Sequence, residues 1–359
     1  MIIVRSPVRI SFAGGGTDLP SYYEKQGGLV LSTAINKYFY TVLTDREDGR
    51  TQIISSDLRA LETCEDVEKM ELHGSELEIP FAVMKYFRPQ VAVNLFLASE
   101  VPPGTGLGSS ASACVGVLKA FSTRLGREMG KADLAEAAFE IARNILKRPV
   151  GKQDEYAAAF GGINVFKFDA EGAEVEPIRL PSEMLTDLQQ SLLLFFTGSS
   201  RDSSQILAAQ DQSVQQREDH VLEALAALKA LVYPMRDALR RGDLDAFATL
   251  LDAGWNLKKR ISTRISNPLI DQIYQTARDR GALGGKVTGA GGGGFLLLFC
   301  PRDRQRAVRE ALRGFGVKEM RFQFDLAGAR VVYDDPFFDA DSGGGVQWVF
   351  RPMMERLAS

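Results

Sequence analysis

Histidine is almost missing from this chain: the 359 residues include two, His73 and His220. Neither lies near a glycine cluster or has metal-ligand spacing around it, which sets aside Ser-His-Asp and zinc mechanisms. The chemistry is left to carboxylates, arginine, lysine and backbone N–H groups. Cysteine is also scarce. Cys64, Cys114 and Cys300 are scattered and odd in number, so they read as small core residues rather than a disulfide framework. Long apolar runs are lacking, and the longest, such as residues 295–300, is strand-sized. The first residues do not form a signal peptide, so a cytoplasmic protein without membrane contact is expected. An excess of one charge is lacking too: 43 Lys and Arg against 46 Asp and Glu give −3. That balance excludes a general nucleic-acid surface, and any anionic ligand must be held by local donors. The length suggests two domains, with a boundary where the composition shifts near residues 170–190.

Glycine is abundant, 34 residues in all, with three dense clusters. The central one is Pro102-Pro103-Gly104-Thr105-Gly106-Leu107-Gly108-Ser109-Ser110-Ala111. A buried strand is expected before it over residues 91–98. A helix is expected after it over residues 112–125, with Val115, Leu118 and Phe121 on its apolar stripe. Glycines let bare N–H groups approach a ligand, and a helix start adds free donors and positive partial charge. Together they make a phosphate cradle. The P-loop pattern fails, since no lysine precedes a hydroxyl residue after the glycines. Gly106, Gly108 and Ala111 meet the dinucleotide pattern, but a helix rather than a second parallel strand follows. The plain alternative is a surface loop with a serine cap.

In chain order, a first strand over residues 2–12 carries Arg5 and Arg9 and runs into Gly14, Gly15, Gly16, Thr17 and Asp18. These glycines permit a small polar ligand to approach, and Asp18 can accept hydrogen bonds from sugar hydroxyls. The competing reading has Thr17 or Asp18 capping a short helix over residues 19–25. Residues 29–44 read as one or two strands. Glu47-Asp48-Gly49 signals a hairpin to residues 50–55, and residues 56–80 read as an irregular connection. After a short helix over residues 80–87 and the central cluster, Asp133 is expected to cap the next helix. Asp154 then opens a short helix between glycine turns, either as an N-cap or as a carboxylate that orients or deprotonates a substrate hydroxyl. Beyond a strand over residues 191–196, Arg201 is either an anion-binding fork or a solvated loop residue. Residues 204–231 hold one or two helices, in which residues 210–219 read as a solvated face. Asp243 and Asn267-Pro268 start two more. The third cluster, residues 284–294 including Gly291, feeds a buried strand, which argues against a linker. Residues 304–313 read as a helix, with strands near residues 317–324 and 329–333.

The three clusters, in this order, resemble the GHMP kinases. The signature P-x-x-x-G-L-G-S-S-A is met by the ten residues from Pro102 to Ala111. The first motif, Pro7-Val8-Arg9-Ile10-Ser11-Phe12-Ala13-Gly14-Gly15-Gly16-Thr17-Asp18, and the third, from Lys286 to Phe295, fit as well. Gly151-Lys152-Gln153-Asp154-Glu155-Tyr156 and Thr197-Gly198 with Arg201 point within the family to the bacterial heptose 7-phosphate kinases. Galactokinases carry Glu-His where Gly15-Gly16 stands, which disfavours galactose.

The resemblance implies an α+β protein of the GHMP kinase fold. Its N-terminal α/β domain would span residues 1–180, its C-terminal ferredoxin-like domain residues 181–334, and a tail residues 335–359. It implies ATP held by Pro103, Gly104, Gly106, Leu107, Gly108, Ser109 and Ser110, with Mg²⁺ on the Ser110 hydroxyl. Asp154 matches the catalytic aspartate and Arg9 the basic residue that assists it. Gly14, Gly15, Gly16, Thr17, Asp18, Arg201 and Gly291 fall to the sugar or sugar phosphate. The chain departs from many relatives where a glutamate binds magnesium: Asn144 aligns there, with Glu140 one turn earlier as a substitute. An anomeric sugar phosphate kinase is therefore expected, with a fucose kinase-like enzyme or a silent sugar- and ATP-binding regulator as alternatives. The oligomeric state, a homodimer among the options, is left open.

Overall fold

Strand alternation and one very long strand set the first sheet. It contains β1 (Ile2–Ala13), β2 (Gly28–Asp45), β3 (Thr51–Ser55), β4 (Ala60–Cys64), β5 (Val93–Ser99), β6 (Ile163–Phe168) and β7 (Ala173–Pro177). The computed structural model describes residues 1–72, 74–88, 92–198 and 203–334. β2 pairs antiparallel with β1 along most of its length. Its first part also pairs with β6, and its second part with β5. A register shift between Pro7 and Val8 divides β1. Ile2 and Val4 lie in one core, and Val8, Ile10 and Phe12 in another.

The first core is closed by α2 (Glu78–Phe87), α3 (Ser109–Arg124), α4 (Lys131–Glu140) and α5 (Gln153–Phe160), while α1 (Pro20–Gln26) follows the first glycine cluster. α4 continues into a π-helical turn, Ile141–Ile145. Val115, Leu118 and Phe121 of α3 are fully buried, as their spacing predicts.

The second half contains α6 (Ser182–Ser191), β8 (Leu192–Phe196), α7 (Ser203–Gln215), α8 (Asp219–Ala230), α9 (Val232–Arg241), α10 (Leu244–Lys259), α11 (Pro268–Asp279), β9 (Gly284–Val287), β10 (Phe295–Phe299), α12 (Gln305–Arg313), β11 (Lys318–Glu319) and β12 (Arg330–Asp334). Its antiparallel sheet has the order β11-β8-β10-β9. β10 is apolar throughout because both faces are covered. Phe295, Leu297 and Phe299 enter the core shared with β1, and Leu296 and Leu298 enter a third core under α8, α10 and α11. The α+β class expected from the sequence is the class observed.

Several local expectations are corrected. β3 does not form a hairpin with β2. It pairs parallel with β5 and antiparallel with β4, since β5 occupies the edge of β2. The stretch over residues 56–80 contains β4, whose exposed outer face weakens its alternation. Asp133 sits inside α4 and accepts from the Gly130 N–H at 3.0 Å, so Gly130 is the cap. α9 goes unseen in the sequence because Pro234 interrupts it; the proline falls in the first turn, where no intrahelical donor is needed. β9 lies within the third glycine cluster. β12 returns to pair with β1 in the first sheet instead of extending the second. Asp243 and Asn267 cap α10 and α11, as expected. The tail over residues 335–359 lies outside the described residues.

Candidate active site

Backbone packing places the central loop. Gly106, at φ +80°, lies against the Thr288 carbonyl, where a Cβ would sit 2.6 Å from the oxygen. A Cβ on Gly289 would be 2.5 Å from the Gly106 Cα, and one on Gly294 would be 2.2 Å from the Thr105 oxygen. The third cluster therefore buttresses the second, main chain on main chain. Gly108 caps α3 in the left-handed region without a side-chain bond. The first backbone bond of that end is from Ser112 N–H to Gly108 O at 3.0 Å. The amides of Ser109, Ser110 and Ala111 thus have no carbonyl one turn back and are available to an anion.

Arg9 joins this loop to α5. Its Nε donates to Asp154 Oδ1 and its Nη2 to Asp154 Oδ2, each at 2.7 Å. Its Nη1 donates to the Gly106 carbonyl at 2.6 Å, and its backbone N–H to Leu107 O at 2.9 Å. The pair is bidentate, the strongest geometry for these groups. The Arg9 side chain is 5% exposed and that of Asp154 is 27% exposed. Asp154 lies in the first turn of α5, where the helix dipole favours its charge, but Lys152 is the cap residue. A Cβ on Gly108 would stand 3.0 Å from Asp154 Oδ2, so the carboxylate directly adjoins the central loop.

Asp18 joins the first cluster to α5. Oδ1 accepts from the Gly16 N–H at 2.8 Å and from Gln153 Nε2 at 3.1 Å, and Oδ2 accepts from the Gln153 N–H at 3.2 Å. Burial, then the nearby Asp154, raises its carboxyl above the ordinary range. Leu19 occupies the cap position of α1 with no side-chain bond, so the capping reading of Asp18 is set aside.

One cavity of about 580 Å³ unites these groups. Gly15, Gly16, Asp18, Gly104, Gly106, Gly108, Ser109, Ser110, Arg9 and Asp154 all line it. The other residues expected at the site fall elsewhere. Thr17 is fully buried, and its Oγ1 donates to Gly14 O at 2.8 Å and Leu29 O at 3.0 Å. Gly14 is pressed against the Leu29 carbonyl, and Gly291 against Ile265. These three hold loops together instead of facing the cavity. Leu107 is buried and Pro103 is exposed; neither is in the lining. Asn144 donates to Glu140 at 2.5 Å, and both are exposed away from the cavity. Arg201 and His73 lie outside the described residues. His220 is exposed, and Cys64, Cys114 and Cys300 are free and buried.

The sequence reading missed several wall residues. Lys258, from α10, donates to the Gly289 carbonyl. Burial, then Arg9, lowers its ammonium from 10.5 to about 8. Ser11 Oγ, Gln153 Oε1 and Glu155 Oε2 are buried on the wall without hydrogen-bond partners among the described residues. α7 adds Leu207 and Gln210. The neighbouring Asp211 is nearly buried and pairs with Arg143 of the π turn at 3.0 Å, so residues 210–219 are not simply a solvated face. No spacing rule marks such residues, because elements distant in the chain supply their partners.

Two family models match the chain. The GHMP kinases N terminal domain covers residues 78–162, and the GHMP kinases C terminal model covers residues 235–318. The D-glycero-alpha-D-manno-heptose 7-phosphate kinase of Campylobacter jejuni is 34% identical over 320 residues, spanning 87% of this chain and 93% of that protein. The chain belongs to the GHMP kinase family. Among further relatives, the L-fucokinase/L-fucose-1-P guanylyltransferase of Bacteroides fragilis is 28% identical across 85% of this chain and 35% of its own length. A crystal structure of a D-glycero-D-manno-heptose 1-phosphate kinase from Bacteroides thetaiotaomicron superposes with a TM-score of 0.78 at 28% identity. That match covers 93% of this chain and all of the other. No helix among the described residues is long and apolar enough to cross a membrane.

Proposed function

We propose that this GHMP kinase is an ATP-dependent sugar kinase that phosphorylates the anomeric hydroxyl of a sugar phosphate, with D-glycero-D-manno-heptose 7-phosphate as substrate and the 1,7-bisphosphate as product. The observation that carries the reading is the bidentate Arg9–Asp154 pair, bonded to the central glycine loop and sharing a cavity with Asp18.

Phosphoryl transfer needs alignment and charge neutralisation more than covalent help. The amides at the start of α3 would hold the ATP phosphates, and Gly106 and Gly108 let the main chain come close. Asp154 would orient the acceptor hydroxyl and take its proton as the O–P bond forms. Arg9 holds both oxygens of the Asp154 carboxylate and places positive charge beside the transferring group. Asp18 would fix the sugar, with Ser11 and Gln153 offering unpaired polar atoms to its hydroxyls. The wall fits magnesium: the Ser110 hydroxyl and a buried carboxylate oxygen without a partner are both oxygen donors of the kind this ion takes. When bound, magnesium would neutralise phosphate charge.

An ADP-release assay over D-glycero-D-manno-heptose 7-phosphate, L-fucose, D-galactose and mevalonate tests the substrate, with ³¹P spectra fixing the phosphorylated position. The heptose phosphate should give the highest kcat/KM and an anomeric phosphate signal. Faster turnover of L-fucose would reassign the enzyme to the fucose kinases. Binding of ATP and sugar by calorimetry without turnover of any sugar would make it a regulator.

A further inference from the structure

Among the described residues, four carboxylates line the cavity: Asp18, Glu78, Asp154 and Glu155. Three are committed to protein partners. Asp18 accepts from Gly16 and Gln153, Glu78 accepts from Arg148 Nε at 3.0 Å, and Asp154 is held on both oxygens by Arg9. Glu155 differs. It is 2% exposed, and its Oε2 is buried with no hydrogen-bond partner among the described residues. An orphaned carboxylate oxygen in a protein interior is costly and calls for an explanation, such as an ion that is not part of the chain.

The location is specific. Glu155 follows Asp154 on α5, and the Asp154 carboxylate adjoins Gly108, the residue that starts α3. Cys114 stands one turn after Ser110 on α3, and both line the cavity. Glu155 therefore borders the end of the cavity where α3 presents its first-turn hydroxyl and amides. The π turn passes the same wall. It presents Ile141 and Ala142 there, neither of which has a side-chain oxygen, while Glu140 and Asn144 bond to each other outside. The segment expected to supply an acidic metal ligand thus supplies none.

We propose that Glu155 takes that place, supplying a carboxylate oxygen to the divalent cation that accompanies the nucleotide, together with the Ser110 hydroxyl. The cation gives Oε2 the partner it lacks, and the pairing places a buried negative charge against the ion's positive one. This inference rests on the nucleotide reading of the central loop.

Binding of Mn²⁺ in the presence of ADP, followed by electron paramagnetic resonance, tests it without turnover. Wild-type enzyme should bind Mn²⁺–ADP about tenfold or more tightly than Glu155→Gln, the scale on which metal sites lose affinity when a supporting group is removed. ADP binding with EDTA present should be equal in the two proteins. Glu155→Asp, which keeps a carboxylate, should bind Mn²⁺–ADP more tightly than the glutamine variant, and it carries the test should the latter fail to fold. Equal Mn²⁺ affinity in wild type and Glu155→Gln would overturn the assignment while leaving the kinase reading intact. Failure of the wild type to bind ADP at all would overturn both.

Discussion

Replacing Asp154 by asparagine removes one charge and almost no volume. In the wild type both carboxylate oxygens accept from Arg9 at 2.7 Å. An asparagine keeps one acceptor but turns an NH₂ group toward an N–H of Arg9, donor against donor. Arg9 keeps its bond to Gly106 O and loses half of its fork while remaining buried. Breaking a fully buried pair costs about 3–5 kcal/mol. Asp154 is more than a quarter exposed, so solvent screening reduces the stability loss to roughly 1–2 kcal/mol. The catalytic loss is larger. Removal of a positioned base lowers the rate by about 10²–10⁴-fold, or roughly 3–5 kcal/mol of barrier. Ground-state contacts to sugar and ATP come from other groups, so the effect should fall on kcat with KM changed only a few-fold. Steady-state kinetics of Asp154→Asn, with thermal melts to show that it is folded at the assay temperature, supply the measurement. Turnover within tenfold of wild type would remove Asp154 from the chemistry and leave it a structural partner of Arg9.

Two further outcomes follow from the same geometry. A methyl group on Gly151 would lie 2.1 Å from Asp18 Oδ2. Gly151→Ala should displace that carboxylate and raise the KM for sugar while sparing the KM for ATP; an unchanged sugar KM would show that Asp18 does not touch the substrate. Lys258 titrates near 8 in the fold against 10.5 when solvated, lowered by burial and by Arg9 and raised in part by Asp18 and Asp154. Between these values the unfolded chain binds the extra proton, so this lysine makes stability rise with pH from about 8 to 10.5, and its charge costs on the order of 3 kcal/mol below 8. Lys258→Met should accordingly show a melting temperature that gains most on wild type below pH 8 and loses that gain toward pH 10.5; a difference independent of pH would refute the burial of a charged lysine.

Much of the site was legible because glycine leaves a local mark. The order of the three clusters, the strand before residues 102–111 and the helix after them pointed to a phosphate cradle. The apolar run at residues 295–300 marked a strand covered on both faces. Position along the chain could not decide between capping and chemistry for Asp18 and Asp154. The structure sets capping aside, since Leu19 and Lys152 hold the cap positions and the two carboxylates bond to Gln153, 135 residues from Asp18, and to Arg9, 145 residues from Asp154. Thr17 and Gly14 carried the right motif letters, yet they hold the loop together because the Leu29 carbonyl stands against them.

Residue order is enough to set which segments can bend tightly, which faces must be buried and which reactive groups the chain contains. These follow from side-chain type and short-range sterics. The folded arrangement alone brings Lys258 to the Gly289 carbonyl, joins β12 to the sheet of β1, and leaves one oxygen of Glu155 without a partner among the described residues. The first outcome depends on the core shared by β1, β10 and α10, the other two on the core where α5 and β12 pack, and no local pattern encodes which groups meet across them.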